Sequence, residues 1–157
     1  VTTPSGPPAD DSPDRDGGLR SSHPPARFTP VRTWILDNVS DLHAFRQQLR
    51  AEINARSHVP AEEILGTVAQ DLVLVASELA TNGIRHGRPP TIVELLQHGP
   101  EFLLTVADHD LGSVPRIVGV RPPGDGGFGL QIARRLARDV GWYRTDTVKV
   151  IWAELGP

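Results

Sequence analysis

Hydrophobic and polar positions change period several times along this chain, and each change marks an element. Residues 31–37, Val-Arg-Thr-Trp-Ile-Leu-Asp, alternate in strand fashion and are rich in β-branched and aromatic side chains. Ser40 then stands as N-cap before a helix over residues 41–56. Pro60 interrupts, and a second helix is predicted to begin between residues 61 and 68 and to run to His86. Residues 91–97 and 101–107 read as strands, with His98-Gly99-Pro100 turning between them. A helix over 130–140 and strands over 142–145 and 148–154 close the chain. This order predicts an α+β two-layer sandwich, with helices packed on one face of a mixed, mostly antiparallel sheet.

The second helix is the most informative. Residues 71–77 are almost wholly apolar, so the helix should be buried on most sides. At about 100° per residue, Leu72, Val75, Ala76 and Leu79 share one stripe. Asp71, Glu78, Asn82 and Arg85 fall on a neighbouring one, which puts a carboxylate and a carboxamide one turn apart. Leaving such groups without partners costs several kcal/mol when they are buried, so they need a ligand or a protein partner. The plain alternative pairs Glu78 with Arg85 and lets Gly87 close the helix just past its C-cap.

Two further segments bear on that choice. Gly124, Gly126, Gly127 and Gly129 free the backbone to turn N–H groups toward an anion, and a helix opening near Leu130 adds its positive dipole end. The string also satisfies the dinucleotide fingerprint, but Arg121-Pro122-Pro123 before it is no strand, and no Walker lysine follows. Between helix and loop, the strand over 101–107 leads into Asp108, a carboxylate placed to accept a charge-assisted hydrogen bond from a base amine. The order of helix with Glu and Asn, strand with Asp, and glycine loop into helix describes a nucleotide site.

At this point the chain resembles the Bergerat-type ATP-binding fold of histidine kinases, type II topoisomerases and chaperones, and within it the anti-sigma-factor serine/threonine kinases of the RsbW type. The likeness runs from roughly Arg32 to Leu155. Ser77-Glu78-Leu79-Ala80-Thr81-Asn82-Gly83-Ile84-Arg85-His86-Gly87 resembles the N box of that family, and Val106-Ala107-Asp108 its adenine-binding box. Gly126-Gly127-Phe128-Gly129-Leu130 resembles the second glycine box, and Gly141-Trp142 with residues 150–155 the closing strands. The resemblance implies a histidine-kinase-like ATPase fold that binds ATP and Mg²⁺. Asn82 would hold Mg²⁺ through its side-chain oxygen, Glu78 would be the general base, and Asp108 would bind the adenine N6 amine. Arg85 or His86 would add positive charge near the phosphates, and Gly112, Gly126, Gly127, Phe128, Gly129 and Leu130 would complete the nucleotide site.

The same resemblance implies a protein serine/threonine kinase, a transferase acting in transcription regulation. Its substrate would be an anti-sigma-factor antagonist, its captured partner a sigma factor, and its assembly a homodimer. Departures from the pattern leave two other classes open. Phe128 stands where relatives often carry Arg or His, Gly83 replaces the usual Ala and loosens the helix by roughly 1 kcal/mol, and Asp146-Thr147-Val148-Lys149 replaces Gly-Lys-Thr before the last strand. The lid stretch over 109–125 keeps only Asp110-Leu111-Gly112 of a longer glycine pattern. A noncatalytic ATP-binding regulator that sequesters a partner fits these changes. A detached histidine-kinase catalytic module would need a phosphoacceptor, and His43 lies on a helix too close to the domain to serve readily.

Composition narrows the field. The 157 residues suffice for one domain with its own core. With no cysteine, disulfides, thiolate zinc sites and cysteine nucleophiles are excluded. Six histidines occur without metal-ligand spacing, and a formal net charge of -3 gives no reason to expect nucleic-acid binding. No apolar run approaches the roughly 18 residues of a membrane span. Residues 1–30 are rich in Pro, Gly, Ser and Asp and are expected to form a disordered extension before a domain over 31–157. That extension has neither signal-peptide nor transit-peptide character, so a cytoplasmic location is the expectation.

Overall fold

The computed structural model describes residues 19–56, 65–113, 115 and 129–157. Along them run strand β1 (Thr29–Leu36), helix α1 (Leu42–Arg56), helix α2 (Leu65–His86) and the hairpin β2 (Thr91–His98) and β3 (Glu101–Asp108). Helix α3 (Gly129–Leu136) and strands β4 (Asp139–Arg144) and β5 (Lys149–Leu155) follow. The sheet order is β1-β2-β3-β5-β4, and every strand pair is antiparallel. Among the described residues, parallel pairing is confined to an isolated bridge between Ser21 and Trp142. The expected α+β sandwich is therefore present, with a sheet more uniformly antiparallel than foreseen.

Strand alternation explains how the layers meet. In register, Trp34, Val93, Val106 and Ile151 form one row on the helix-facing side, and Leu95, Leu104 and Ala153 another. These residues meet Leu49 and Ile53 of α1, Leu72, Val75, Ala76 and Leu79 of α2, and Ala133 of α3 in one core. The apolar stripe read from the sequence of α2 is thus its buried face. Deleting a fully buried leucine from such a core costs about 2–5 kcal/mol. No helix among the described residues is long and apolar enough to cross a membrane.

Local chemistry moves several boundaries. Asn38, in extended conformation, accepts from Ser40 N at 3.0 Å, and Asp41 Oδ2 returns the contact to Asn38 N at 3.2 Å. A capping box at 38–41 with one 3-10 turn therefore starts α1, in place of a Ser40 cap. Helix α3 stops at Leu136 rather than residue 140, because Arg138 N donates to Glu154 O at 2.8 Å and Asp139 and Val140 already pair with β5. Strand β1 takes in Pro30 on the edge of the sheet, where a missing N–H is tolerated beside a register shift between Pro30 and Arg32.

The folded part also reaches back beyond residue 31. Ser22 N donates to Trp142 O at 2.9 Å, Trp142 Nε1 to Leu19 O at 3.1 Å, and Trp152 Nε1 to Ser22 O at 2.7 Å. Residues 19–28 form a strap along β4 and over the outer face of the sheet, where Phe28 packs with Leu103 and Trp152. Arg27 ties the strap down through Glu154 and, at 2.9 Å, through Glu101. The hydrogen bond from Arg27 holds the Glu101 carboxyl below its ordinary pKa, so the clamp is whole above that ordinary value and is lost as pH falls through the lowered one.

A Cβ added at Gly141 would lie 2.5 Å from Ser22 Oγ and 2.7 Å from the Trp152 ring, so strap and indole both depend on that bare backbone. Gly141→Ala is expected to destabilise the fold by about 1–3 kcal/mol, measured by denaturant unfolding. In Arg27→Gln, the stability deficit against wild type should shrink between pH 7 and pH 3, as read by thermal melts at the two values.

Candidate functional site

One end of the sandwich gathers the polar residues. Antiparallel register puts Asp108 on β3 directly opposite Lys149 on β5, and Lys149 opposite Arg144 on β4. Thr91, paired with Leu36 of β1, continues the same row on β2. Asp108, Lys149 and Thr91 are all buried. Each sits where its strand begins or ends, below the last turn of α2.

Two glycines allow α2 to come down onto this row. A Cβ on Gly83 would lie 2.9 Å from Thr91 Cγ2 and 3.1 Å from its Oγ1. One on Gly87 would lie 2.5 Å from Asp108 Cγ and 2.6 Å from Oδ2. Gly87 is thus not the left-handed cap expected of it, since the described glycine with positive φ is Gly99. Its N–H closes the helix onto Gly83 O at 3.0 Å, and its bare Cα receives the Asp108 carboxylate. Gly83, expected to loosen the helix, is what permits contact with Thr91.

The carboxylate is held on both sides. Asp108 Oδ1 accepts from Asp110 N at 2.7 Å, while Oδ2 lies 3.7 Å from Lys149 Nζ. Lys149 Nζ donates to Ser113 Oγ at 2.9 Å and lies 3.9 Å from Asp110 Oδ2. Ser113 Oγ donates in turn to Asp110 Oδ2 at 2.6 Å, and Gly112 N donates to Asp110 Oδ1 at 3.1 Å. The Ser113 hydrogen bond, then that of Gly112, then the Lys149 charge hold the Asp110 carboxyl below its ordinary value. Arg144 Nη1 donates to Leu111 O at 2.9 Å and fixes the same turn to β4.

Other polar atoms here lack partners. Thr91 Oγ1 and His109 Nδ1 are buried without a hydrogen bond among the described residues. On α2, Glu78 and Asn82 are half-buried one turn apart, and neither bonds to another described residue. The alternative pairing of Glu78 with Arg85 is not formed. Arg85 and His86 are exposed in the final turn. Helix α3 packs against α2 and is anchored by buried Leu130 and Ala133, so the helix that follows the glycine segment lies beside the Glu78–Asn82 helix. Gly129 is its first residue, whereas Gly126, Gly127 and Phe128 lie outside the described residues.

Sequence reasoning missed Lys149, Thr91 and His109. Register across strands distant in sequence brings Lys149 to Asp108. One signal was available: Lys149 is the sole lysine among 16 basic side chains.

The chain belongs to the histidine kinase-like ATPase domain family, whose model matches residues 36–155. A crystal structure of the RsbU and RsbW domains of Rv1364c from Mycobacterium tuberculosis is similar in fold, with a TM-score of 0.56 and 17% identity. The match covers 82% of this chain and 32% of that one, and at this identity it speaks for the fold alone. No curated protein matches the chain. The family implies an ATP site.

Gly87→Ala pushes a methyl into the Asp108 carboxylate and into Gly83 O, which lies 2.6 Å from the added Cβ. It is expected to weaken ATP binding at least tenfold by calorimetry and to lower stability by about 1–3 kcal/mol.

Proposed function

We propose that this chain is an ATP-dependent protein serine/threonine kinase of the anti-sigma-factor type, acting on an anti-sigma-factor antagonist and thereby on a sigma factor in the cytoplasm. The observation that carries the reading is the pairing of α2 and α3. It sets Glu78 and Asn82, without partners among the described residues, beside the helix that continues from the glycine segment, above a floor holding Asp108.

The donor set suits Mg²⁺. Among the described residues no cluster of three His, Cys, Asp or Glu side chains could hold a metal by itself. A Mg²⁺ that bridges phosphates and keeps its waters needs few protein ligands, and the Asn82 side-chain oxygen would be one of them. Bound there, the ion would neutralise phosphate charge. Asp108 accepts a hydrogen bond from the adenine amine. Glu78 takes the proton of the attacking serine or threonine hydroxyl as its oxygen bonds to the γ-phosphorus, the bond to the β–γ bridging oxygen breaks, and ADP leaves. Positioning does most of the work, so few groups are required.

The homodimer and both protein partners rest on the resemblance to the kinase subgroup. Calorimetry with ATP, GTP and ADP, with and without Mg²⁺, followed by transfer of labelled phosphate to candidate antagonists, tests the proposal. Asn82→Ala should lose at least tenfold in Mg²⁺-dependent ATP affinity. Glu78→Gln should bind ATP as wild type does while transfer falls by a factor of about 10² or more. Stoichiometric ATP binding with no transfer to any antagonist would replace the kinase by the noncatalytic regulator.

A further inference from the structure

We infer that Lys149 is a second base-reading residue, donating a hydrogen bond to the ring nitrogen beside the exocyclic amine that Asp108 recognises. The inference rests on the nucleotide-site reading and deepens it.

Three observations carry it. The first is supply and demand at the row. A lysine ammonium has three donors, and Nζ uses one on Ser113 Oγ at 2.9 Å. The carboxylates at 3.7 and 3.9 Å are close enough for attraction but beyond hydrogen-bond range. Asp108 Oδ2 likewise accepts no hydrogen bond from a described residue. An unused donor and an unused acceptor therefore stand 3.7 Å apart, both on side chains more than nine-tenths buried. Burial of such groups is costly unless something pairs with them.

Second, the row holds more unmet polar capacity. Thr91 Oγ1, on a residue with no exposed surface, has no hydrogen-bond partner among the described residues, and neither has His109 Nδ1. These atoms flank Asp108 in the sheet row and in the chain. A planar heterocycle that presents an amine donor next to a ring-nitrogen acceptor answers Asp108 and Lys149 together. That pattern belongs to the 6-aminopurine edge. A 6-oxopurine offers the reverse order, an acceptor beside a ring N–H, and with both side chains held by the sheet it meets each with the wrong group.

Third is the choice of cation. The chain carries 16 Lys and Arg side chains, of which only this one is lysine. Arginine is a planar fork suited to carboxylates and phosphates, whereas the ammonium is compact and rotates its donors freely. The compact group suits this place better, where two aspartates, a serine and a ligand atom share one cation.

The sole lysine also makes the test clean. Protein labelled with ¹⁵N-lysine gives one side-chain ammonium signal. Wild type should bind ATP about tenfold or more tightly than 1-deaza-ATP, in which the ring nitrogen becomes C–H, and the ammonium signal should shift with ATP but not with the analogue. Lys149→Met should bind the two equally, and Lys149→Arg should recover part of the ratio. A Lys149→Met protein that keeps the wild-type ratio overturns the inference, as does a labelled wild-type signal that responds alike to both nucleotides. The second result needs no variant and holds even if the substitution unfolds the protein. If wild type binds neither nucleotide, the nucleotide-site reading falls first, a failure distinct from binding both equally.

Discussion

Closeness of a helix backbone to the ends of three strands is the constraint on which this structure turns. Gly83 on α2 and Gly87 just past its end, one turn apart, carry no side chain where Thr91 and Asp108 approach them. Any larger residue would lift the helix or displace the carboxylate. The same helix carries Glu78 and Asn82 on another face, so the glycines also set how high that polar stripe rides above the sheet. A helix-propensity scale sees two weak positions here. In the fold they are the bearing on which the site rests.

The electrostatics beneath that bearing are unbalanced. One ammonium faces two carboxylates, and its distances to both exceed hydrogen-bond length. A buried pair with such geometry is weak evidence for stability. The order Lys149, Ser113, Asp110, with Arg144 on Leu111 O, binds the chain leaving β3 to β5 and β4. The buried polar row and the start of the following segment are thereby one hydrogen-bonded unit.

Much of this was legible in the chain. The 3.6-residue apolar stripe of α2 and the period-two strands β2 and β3 are strong local signals, and they put Glu78 and Asn82 on the helix and Asp108 at the end of its strand. What escaped was non-local. Lys149 reaches Asp108 through the register between β3 and β5, strands separated by a helix and another strand. The close contacts of Gly83 and Gly87 depend on tertiary approach, which no periodicity encodes. Helix α3 ended early because its continuation found strand partners, a case of tertiary pairing overriding local preference.

The strap was illegible for another reason. Its composition is poor in large apolar residues, yet indole N–H groups of Trp142 and Trp152 reach its backbone carbonyls and help to hold it. A polar, proline-rich stretch needs no core of its own when another element supplies the donors. A fragment cut just before β1 would strand the indole donors of Trp142 and Trp152 and bare the aromatic cluster behind the sheet.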